Sequence, residues 1–285
     1  MSVEKQGHTK VFSPTNLQDL LSYYRDHPKA VPFAGGTYLF LRKGPRERFG
    51  GELIDLGHVS ELSQISRTER YMEIGPAVSI SKIINTGRHV MPRALFAALK
   101  AIGNTAVRNH ATLGGNICAR NHRLSTYPVL LLLDVRLELR RAGETRWINL
   151  NRFITGDEGP VLGPGELVTR IRIPFMDWDV EEFRQQERLF TPEHFIFCGI
   201  VSKQKDVISD LRTSFCIGNR RIIRTRIMEA ELIGRKLPIP PADRLEMGRM
   251  LQQQIERNHP EMDNFHIHRI RRSLNWFLQI LNDSE

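Results

Sequence analysis

Two glycine-bearing segments decide the fold of this chain: FAGGTY at residues 33–38 and VRNHATLGGNI at residues 107–117. In each segment a Gly-Gly pair stands beside apolar residues, and glycine lets the backbone take positive φ and approach a ligand closely. Successive backbone N–H groups in such a loop form a concave anion site without a charged side chain. The alternative is that each pair is only a tight turn, which is the commoner role of one pair taken alone.

Taken together, the two segments favour a binding site for a pyrophosphate, because that group carries charge on both of its phosphoryl units. The hydroxyl groups of Thr37 and Thr112 and the amide of Asn116 would add hydrogen bonds to those of the backbone. The sequence therefore predicts that the two segments converge on one anion site.

The composition is that of a globular protein without a membrane span. The chain has 285 residues, 40% hydrophobic and 26% charged, which predicts one large domain or two medium ones. Its longest apolar run, residues 129–133, is too short to cross a bilayer. Residues 1–10 are polar, and the three cysteines, Cys118, Cys198 and Cys216, are widely spaced. These features predict a cytoplasmic protein without a disulfide framework.

The net charge of +9 leaves several interpretations open. Nucleic acid, an acidic partner subunit or an anionic ligand would each explain 41 basic against 32 acidic residues, as would a solvated basic surface. Arginines of the C-terminal third are interspersed with isoleucines, as on amphipathic helices, without the aromatic stacking pattern of an RNA-binding module. We therefore expect no nucleic-acid partner.

Hydrophobic periodicity predicts a mixed α+β chain. The predicted helices are residues 15–27 with Thr15 and Gln18 as a capping-box pair, 81–86, 92–101, 127–133, and 221–233 with Gly234 as its cap. The predicted strands are residues 31–34, 52–56, 71–74, 135–140, 168–173, 195–203 and 210–217. Residues 103–116 are predicted to form a loop, a boundary is predicted near 174–182, and two amphipathic helices follow residue 241.

No metal site and no catalytic residue is predicted from motifs. His266 and His268 stand at the start of a helix, where side chains two positions apart do not share a face. The cysteines lack CxxC spacing, so this chain alone is not expected to hold zinc or an iron–sulfur cluster. The sequence also lacks a GxxxxGK[ST] phosphate loop, a GxGxxG motif opening a βαβ unit, a GxSxG elbow and an HExxH helix.

Taken in order, the two glycine segments resemble the flavoprotein subunit of the molybdenum hydroxylases. That family includes the FAD subunits of xanthine dehydrogenase and carbon monoxide dehydrogenase. The run RNHATLGGN is the specific part of the likeness, and AGGT supports it. Further similar segments lie at residues 128–134, 163–168, 171–174 and 219–237, so the likeness covers most of the chain.

The resemblance implies an α+β fold with two domains. A PCMH-type FAD-binding domain would span residues 1–176, as two α/β subdomains at about 1–57 and 58–176. A C-terminal domain similar to that of the carbon monoxide dehydrogenase flavoprotein, an antiparallel sheet plus helices, would span residues 178–285.

The resemblance also implies FAD as the cofactor. The two glycine segments would hold its pyrophosphate, Ile102 and Gly103 would lie near the flavin, and Leu162 would pack on the adenine. The complete implied set of cofactor-binding residues is Phe33, Ala34, Gly35, Gly36, Thr37, Tyr38, Ile102, Gly103, Thr112, Leu113, Gly114, Gly115, Asn116, Ser125, Leu162 and Arg184.

Two of these positions depart from the family pattern. Ser125 stands where the family usually has an aspartate that hydrogen-bonds the cofactor, and a hydroxyl is a weaker partner than a carboxylate. A family lysine matches either Arg184, which would keep the positive charge, or Gln185, which would lose it.

The family's activity implies an oxidoreductase subunit that works within a complex. It would relay electrons between a [2Fe–2S] subunit and NAD or another acceptor, beside a molybdopterin-binding large subunit. The alternatives are a structural or assembly subunit that has lost FAD, and a basic nucleic-acid-binding protein. Because substrate hydroxylation in the family occurs on the molybdenum subunit, this sequence does not identify the substrate.

Overall fold

The computed structural model describes residues 9–42, 51–119, 122, 124–154, 159–187 and 191–284. The chain forms two compact units, each built from separated stretches of sequence. The first unit comprises residues 1–87, 102–121 and 133–175, and the second comprises residues 88–101, 122–132 and 176–285. Among the described residues, no helix combines the length and apolar character that a membrane span requires.

The helices and strands are interleaved along the chain, and the predicted α+β class is confirmed. The helices of the described residues are α1 Leu17–Asp26, α2 Thr37–Arg42, α3 Ile80–Asn85, α4 Arg93–Lys100, α5 Thr105–His110, α6 Leu113–Ile117, α7 Tyr127–Leu132, α8 Arg226–Leu232, α9 Pro241–Asn258 and α10 Asn264–Asp283. The strands are β1 Lys10–Phe12, β2 Val31–Phe33, β3 Glu52–Asp55, β4 Ile65–Arg67, β5 Tyr71–Ile74, β6 Arg136–Arg141, β7 Glu144–Asn149, β8 Leu167–Pro174, β9 Val180–Gln186, β10 Phe195–Gln204, β11 Val207–Ile217 and β12 Arg221–Ile223.

The first unit contains two sheets. A parallel sheet has the strand order β1-β3-β2, and α1 buries Leu20 in a core that includes Ile54 of β3. An antiparallel sheet has the order β4-β5-β8-β6-β7. On that sheet, the guanidinium of Arg172 lies over the rings of Tyr71 and Trp147, at 4.4 and 4.3 Å from their centroids. Such cation–π contacts let an arginine cover the outer surface of a sheet.

The second unit is a four-stranded antiparallel sheet with helices on both faces. Its strand order is β12-β11-β10-β9. On one face, Phe197 packs against Phe277 of α10 in a core that also contains residues of α9. On the other face, Ser214 donates a hydrogen bond to the carbonyl of Pro128 in α7, and a Glu181 carboxylate accepts from the amide of Ala94 in α4.

Three predicted elements differ from the structure. Residues 103–116 are not a loop, because Asn104 and Thr112 accept hydrogen bonds from the amides of Val107 and Gly115 and so cap α5 and α6. Helix α1 is capped by Asn16 rather than by Thr15. The predicted helix at 221–233 is also wrong at its start.

The error at residues 221–233 arises from strand pairing. Ile223 pairs with Phe215 and extends the sheet as β12, and α8 begins only at Arg226. The isoleucines of this segment fit a helical spacing equally well, so the partner strand decides the conformation rather than the local pattern. Gly234 has a φ of 86° after the helix, although the C-cap is Ile233.

A buried carboxylate fastens α8 to the sheet of the second unit. Glu229 is 5% exposed, and its Oε1 accepts hydrogen bonds from the Thr213 amide at 2.8 Å and from Arg224 Nε at 3.1 Å. Arg224 in turn donates to the carbonyl of Leu131 in α7 at 3.4 Å. One carboxylate therefore satisfies a strand amide and neutralises a guanidinium that also contacts α7.

We expect Glu229→Ala to lower the free energy of unfolding by about 3 kcal/mol, because it leaves the Arg224 charge buried and unpaired. Urea unfolding followed by circular dichroism measures this change. Glu231→Ala, at an exposed position of the same helix, should change stability by no more than about 0.5 kcal/mol. Equal effects of the two substitutions would contradict the role given to Glu229.

Candidate cofactor-binding site

The first glycine segment joins β2 to α2, and three of its backbone amides have no hydrogen-bond partner among the described residues. Phe33 ends β2, and the residues that follow it are half-buried. Gly36 has a φ of 67°, a conformation that glycine adopts without strain. Among the described residues, no hydrogen bond involves the N–H of Gly35, Gly36 or Thr37. Three consecutive donors are therefore available to a ligand at this turn.

The two glycine segments meet directly, as their sequences predict. A Cβ built on Gly35 would lie 1.6 Å from the carbonyl oxygen of His110 and 3.2 Å from the nitrogen of Ala111. No side chain fits there, so the absence of one is what allows the two backbones to touch. Gly35 is thus required for contact between segments of its own chain, and not only for access by a ligand.

The second segment differs from the open row of N–H groups that its glycine pair suggests. The amide of Leu113 donates to the carbonyl of Val78 at 3.2 Å, and that of Gly114 donates to Pro76 at 3.0 Å. The amides that follow, at Gly115 and Asn116, donate to the side chain and the carbonyl of the Thr112 cap. Carbonyl and hydroxyl oxygens of the chain therefore already accept from these four amides. The segment supports the first loop, and the O–H of Thr112 can still act as a donor.

Arg108 is a residue of this region that sequence reasoning passed over. Its Nη1 donates to the carbonyls of Ile102 at 3.0 Å and Gly103 at 2.7 Å, and its Nη2 donates to Thr105 Oγ1 at 3.1 Å. Gly103 has a φ of 41°. The arginine of the RNHATLGGN run thus fixes the turn that the resemblance places near the flavin. Its position inside that run was the available signal.

The Leu162 loop is held by an ion pair that the sequence did not indicate. Arg146 of β7 and Glu166 form two parallel hydrogen bonds of 2.7 Å, and Glu166 also accepts from the Gly163 amide at 2.9 Å. The Arg146 guanidinium holds the pKa of Glu166 below its usual value, against the opposing effect of burial. Leu162 itself is half-buried next to this anchor.

Ser125 and Arg184 lie in the second unit and are not brought together. Arg184 of β9 points to the face covered by α10, where its guanidinium is 3.5 Å from the centroid of the Trp276 ring. Ser125 is 3% exposed and leads directly into α7, which packs on the opposite face of the sheet. Gln185 faces that side instead, and its buried Oε1 has no hydrogen-bond partner among the described residues. Of the two matches to the family lysine, Gln185 is therefore the one on the side of α7.

Two further predicted residues, Ala34 and Tyr38, lie in the first unit and are half-buried. Ala34 is half-buried before the glycine pair, and Tyr38 is half-buried in the first turn of α2. Two cavities of the described residues are lined by residues of the second unit and not by the glycine segments. No cluster of three or more His, Cys, Asp or Glu side chains with the geometry to hold a metal occurs in the described residues.

We expect Gly114→Ala to destabilise the fold by about 2 kcal/mol or more, because the new Cβ would lie 2.4–2.8 Å from Pro76 atoms. Gly115→Ala is the matched control, since its Cβ would meet only Thr112 Oγ1, at 3.1 Å. Thermal and urea unfolding without added cofactor compares the two variants. If Gly115→Ala proves the more harmful substitution, the packing role of Gly114 is refuted.

The Arg146–Glu166 pair should make stability depend on acidity. Because the folded pKa of Glu166 is lowered, the pair stabilises the fold above the unfolded pKa of about 4.3 and is lost as pH falls through the folded value. Glu166→Gln should therefore cost stability at neutral pH and flatten its decline in acid. Urea unfolding across an acid-to-neutral pH series measures this. The control is Glu144→Gln, since the Glu144 side chain pairs with Arg141 but is 66% exposed. A parallel decline in wild type and Glu166→Gln would argue against the pair.

Comparisons with known proteins bear on both the family and the fold. A family model described as the FAD binding domain in molybdopterin dehydrogenase matches residues 6–176. The chain is 30% identical over 223 residues to aldehyde oxidase 2 of Cavia porcellus, covering 71% of this chain and 16% of that protein. It is 29% identical over 162 residues to the xanthine dehydrogenase FAD-binding subunit of Escherichia coli O157:H7, covering 55% of each. The matches thus span about half, or much less, of the length of these relatives.

Two solved structures share the fold. Quinoline 2-oxidoreductase from Pseudomonas putida 86 matches with a TM-score of 0.77 at 21% identity, covering 98% of this chain and 96% of the matched one. The Cu,Mo-CO dehydrogenase matches with a TM-score of 0.76 at 17% identity, covering 87% and 88%. These likenesses confirm the predicted fold, and the family model confirms the resemblance carried by the glycine segments. The chain belongs to the family of FAD-binding domains of molybdopterin dehydrogenases, an oxidoreductase family whose cofactor in this domain is FAD.

Proposed function

We propose that this chain is the FAD-binding electron-transfer subunit of a multi-subunit molybdenum-containing hydroxylase or dehydrogenase. In this role it relays electrons between a [2Fe–2S] partner subunit and NAD or another acceptor. The observation that carries the proposal is the turn at residues 34–37, where the amides of Gly35, Gly36 and Thr37 have no hydrogen-bond partner among the described residues, in a chain that belongs to an FAD-binding family.

The turn fits the pyrophosphate of FAD in its donor set. The N–H groups of Gly35, Gly36 and Thr37 are consecutive and unpartnered among the described residues, and an anion with several acceptor oxygens satisfies such a row. The Thr37 hydroxyl adds a fourth donor. Contact between Gly35 and the His110 backbone fixes the loop before a ligand arrives, which lowers the entropy cost of binding.

The other proposed contacts follow the resemblance and serve to orient the cofactor. Ile102 and Gly103, fixed by Arg108, would border the flavin, and Leu162, held beside Glu166, would cover the adenine. Bound FAD supplies the redox chemistry, while the protein holds and orients it.

We assign residues 1–176 to the FAD-binding domain, with subdomains at about 1–57 and 58–176, and residues 178–285 to the C-terminal domain. The partners would be a [2Fe–2S] subunit and a molybdopterin-binding large subunit on which the substrate reacts. The described cysteines form no disulfide, and a reducing compartment, the cytoplasm, is the location we propose.

The second candidate function is a structural subunit that keeps the fold but binds FAD weakly. Ser125 in place of an aspartate supports it, as does the neutral Gln185, rather than Arg184, on the side of the sheet that carries α7. Both changes remove a charged partner that the family offers to its cofactor.

The amides of the first turn provide the sharpest test. Thr37→Pro removes one N–H at the first position of α2, where proline is tolerated, and Thr37→Ala removes only the hydroxyl. We expect Thr37→Pro to weaken FAD binding by about tenfold or more, because a hydrogen bond to a charged group contributes about 1.5–3 kcal/mol. Titration of flavin fluorescence gives the dissociation constants, and unfolding of the FAD-free variants checks the fold.

Three outcomes separate the candidates. Tight FAD binding by the wild type, weakened in Thr37→Pro more than in Thr37→Ala, supports the flavoprotein subunit and the site. Tight binding unaffected by Thr37→Pro would refute the site at this turn. A folded wild-type chain that leaves FAD free even at high concentration would favour the structural subunit.

A further inference from the structure

The second unit carries a groove between α9 and α10 that is lined by three arginines. A cavity of about 150 Å³ lies there. Its lining residues are Arg244, Leu245 and Gly248 of α9, and His268, Arg271, Arg272 and Asn275 of α10. The four residues of α10 are spaced i, i+3, i+4 and i+7, so they share one face of that helix.

The three arginines of this groove form no ion pair with a carboxylate of the described residues. Among the described residues no ion pair involves Arg244, Arg271 or Arg272, and Arg271 bonds only the neutral amide oxygen of Gln252. The described part of the chain elsewhere pairs many of its arginines with Asp or Glu, as Arg235 does with Asp243 at the start of α9. Neither Glu246 nor Glu256 of α9 lines the groove. The positive charge of the groove is therefore not neutralised by any carboxylate of the described residues.

The interior of the groove is apolar despite its charged lining. Arg244 lines the groove, its Nε is buried without a hydrogen-bond partner among the described residues, and the stem of an arginine is apolar. Leu245 beside it is 58% exposed. Gly248 places no side chain at the bottom, and a Cβ there would meet nothing nearer than Arg271 Nε at 3.8 Å. A groove that combines Leu245 and Gly248 with three arginines favours a ligand that has both an apolar group and anionic groups.

We propose that this groove docks an acidic segment of a partner protein, with one large apolar side chain of that segment inserted between α9 and α10. Guanidinium groups bind carboxylates in a planar, two-point geometry, and arginine is enriched at protein interfaces where lysine is depleted. A free phosphate could bind the arginines of the groove but would leave its apolar surface exposed to water. The inference goes beyond FAD binding and does not depend on it.

Selection from a library of short random peptides on the full-length chain tests the proposal without knowledge of the partner. The counter-selection uses Gly248→Leu, which places a side chain in the groove and should keep the helix, because leucine is the better helix former and its Cβ would meet nothing nearer than 3.8 Å; thermal unfolding checks that the variant is folded. We expect the enriched peptides to carry Asp or Glu on either side of Leu, Phe or Met. Enrichment of peptides without acidic residues, or no enrichment beyond the counter-selected pool, would overturn the proposal.

A charge-reversal pair then locates the binding. Arg272→Glu should weaken a selected peptide by about tenfold or more in fluorescence anisotropy, whereas Arg249→Glu should change it by less than about threefold. Both arginines are exposed, and Arg249 lies on α9 but outside the groove, so the change in net charge is the same. Equal losses of peptide affinity in the two variants would mean that the peptide responds only to the overall positive charge of the chain. Displacement of the peptide by inorganic phosphate at equal ionic strength would mean the same. Either result rules out the groove as a docking site.

Discussion

The first unit depends on one contact, the approach of the Gly35 backbone to the carbonyl of His110. A Cβ at residue 35 would stand 1.6 Å from that oxygen, a distance that no adjustment of a side chain relieves. Because the contact joins two segments far apart in sequence, it fixes the turn at residues 34–37 relative to α5 and α6. The open amides at that turn are thus positioned by backbone packing, which is more rigid than a hydrogen bond from a flexible side chain.

The two glycine segments differ in whether their backbone amides already form hydrogen bonds within the chain. The N–H groups of the second segment donate to Pro76, Val78 and Thr112, so this segment is held in place and supports the first loop. The first keeps its N–H groups free among the described residues. A loop that both supports the fold and binds a ligand would lose stability whenever the ligand left. Because different segments perform the two tasks, the fold is stable with or without cofactor, and the amides of the first segment remain available to the phosphate groups of the ligand.

The sequence predicted the fold class, the family and the convergence of the glycine segments, because paired glycines in a specific run are a local signal. It did not predict that Gly35 serves contact with His110, since a glycine that admits a ligand and one that admits another backbone look alike in sequence. Some partners come from distant segments, so no local pattern could show them: the carbonyls of Pro76 and Val78 that accept from α6, Arg146 for Glu166, and the Thr213 amide for Glu229. Strand β12 was missed because its isoleucines suit a helix until β11 pairs with them.

The make-up of the second unit has a consequence for how the chain is synthesised. Its sheet, formed after residue 176, receives α4 and α7 from residues 88–101 and 122–132, which leave the ribosome long before any of its strands. These two helices must therefore wait, with apolar surface exposed, until β10 and β11 are complete. Contacts between segments so far apart in sequence slow folding and favour intermediates that expose apolar surface and aggregate. A chain cut after residue 176 would keep both helices without the sheet on which they pack, so it would expose apolar surface that the whole chain buries.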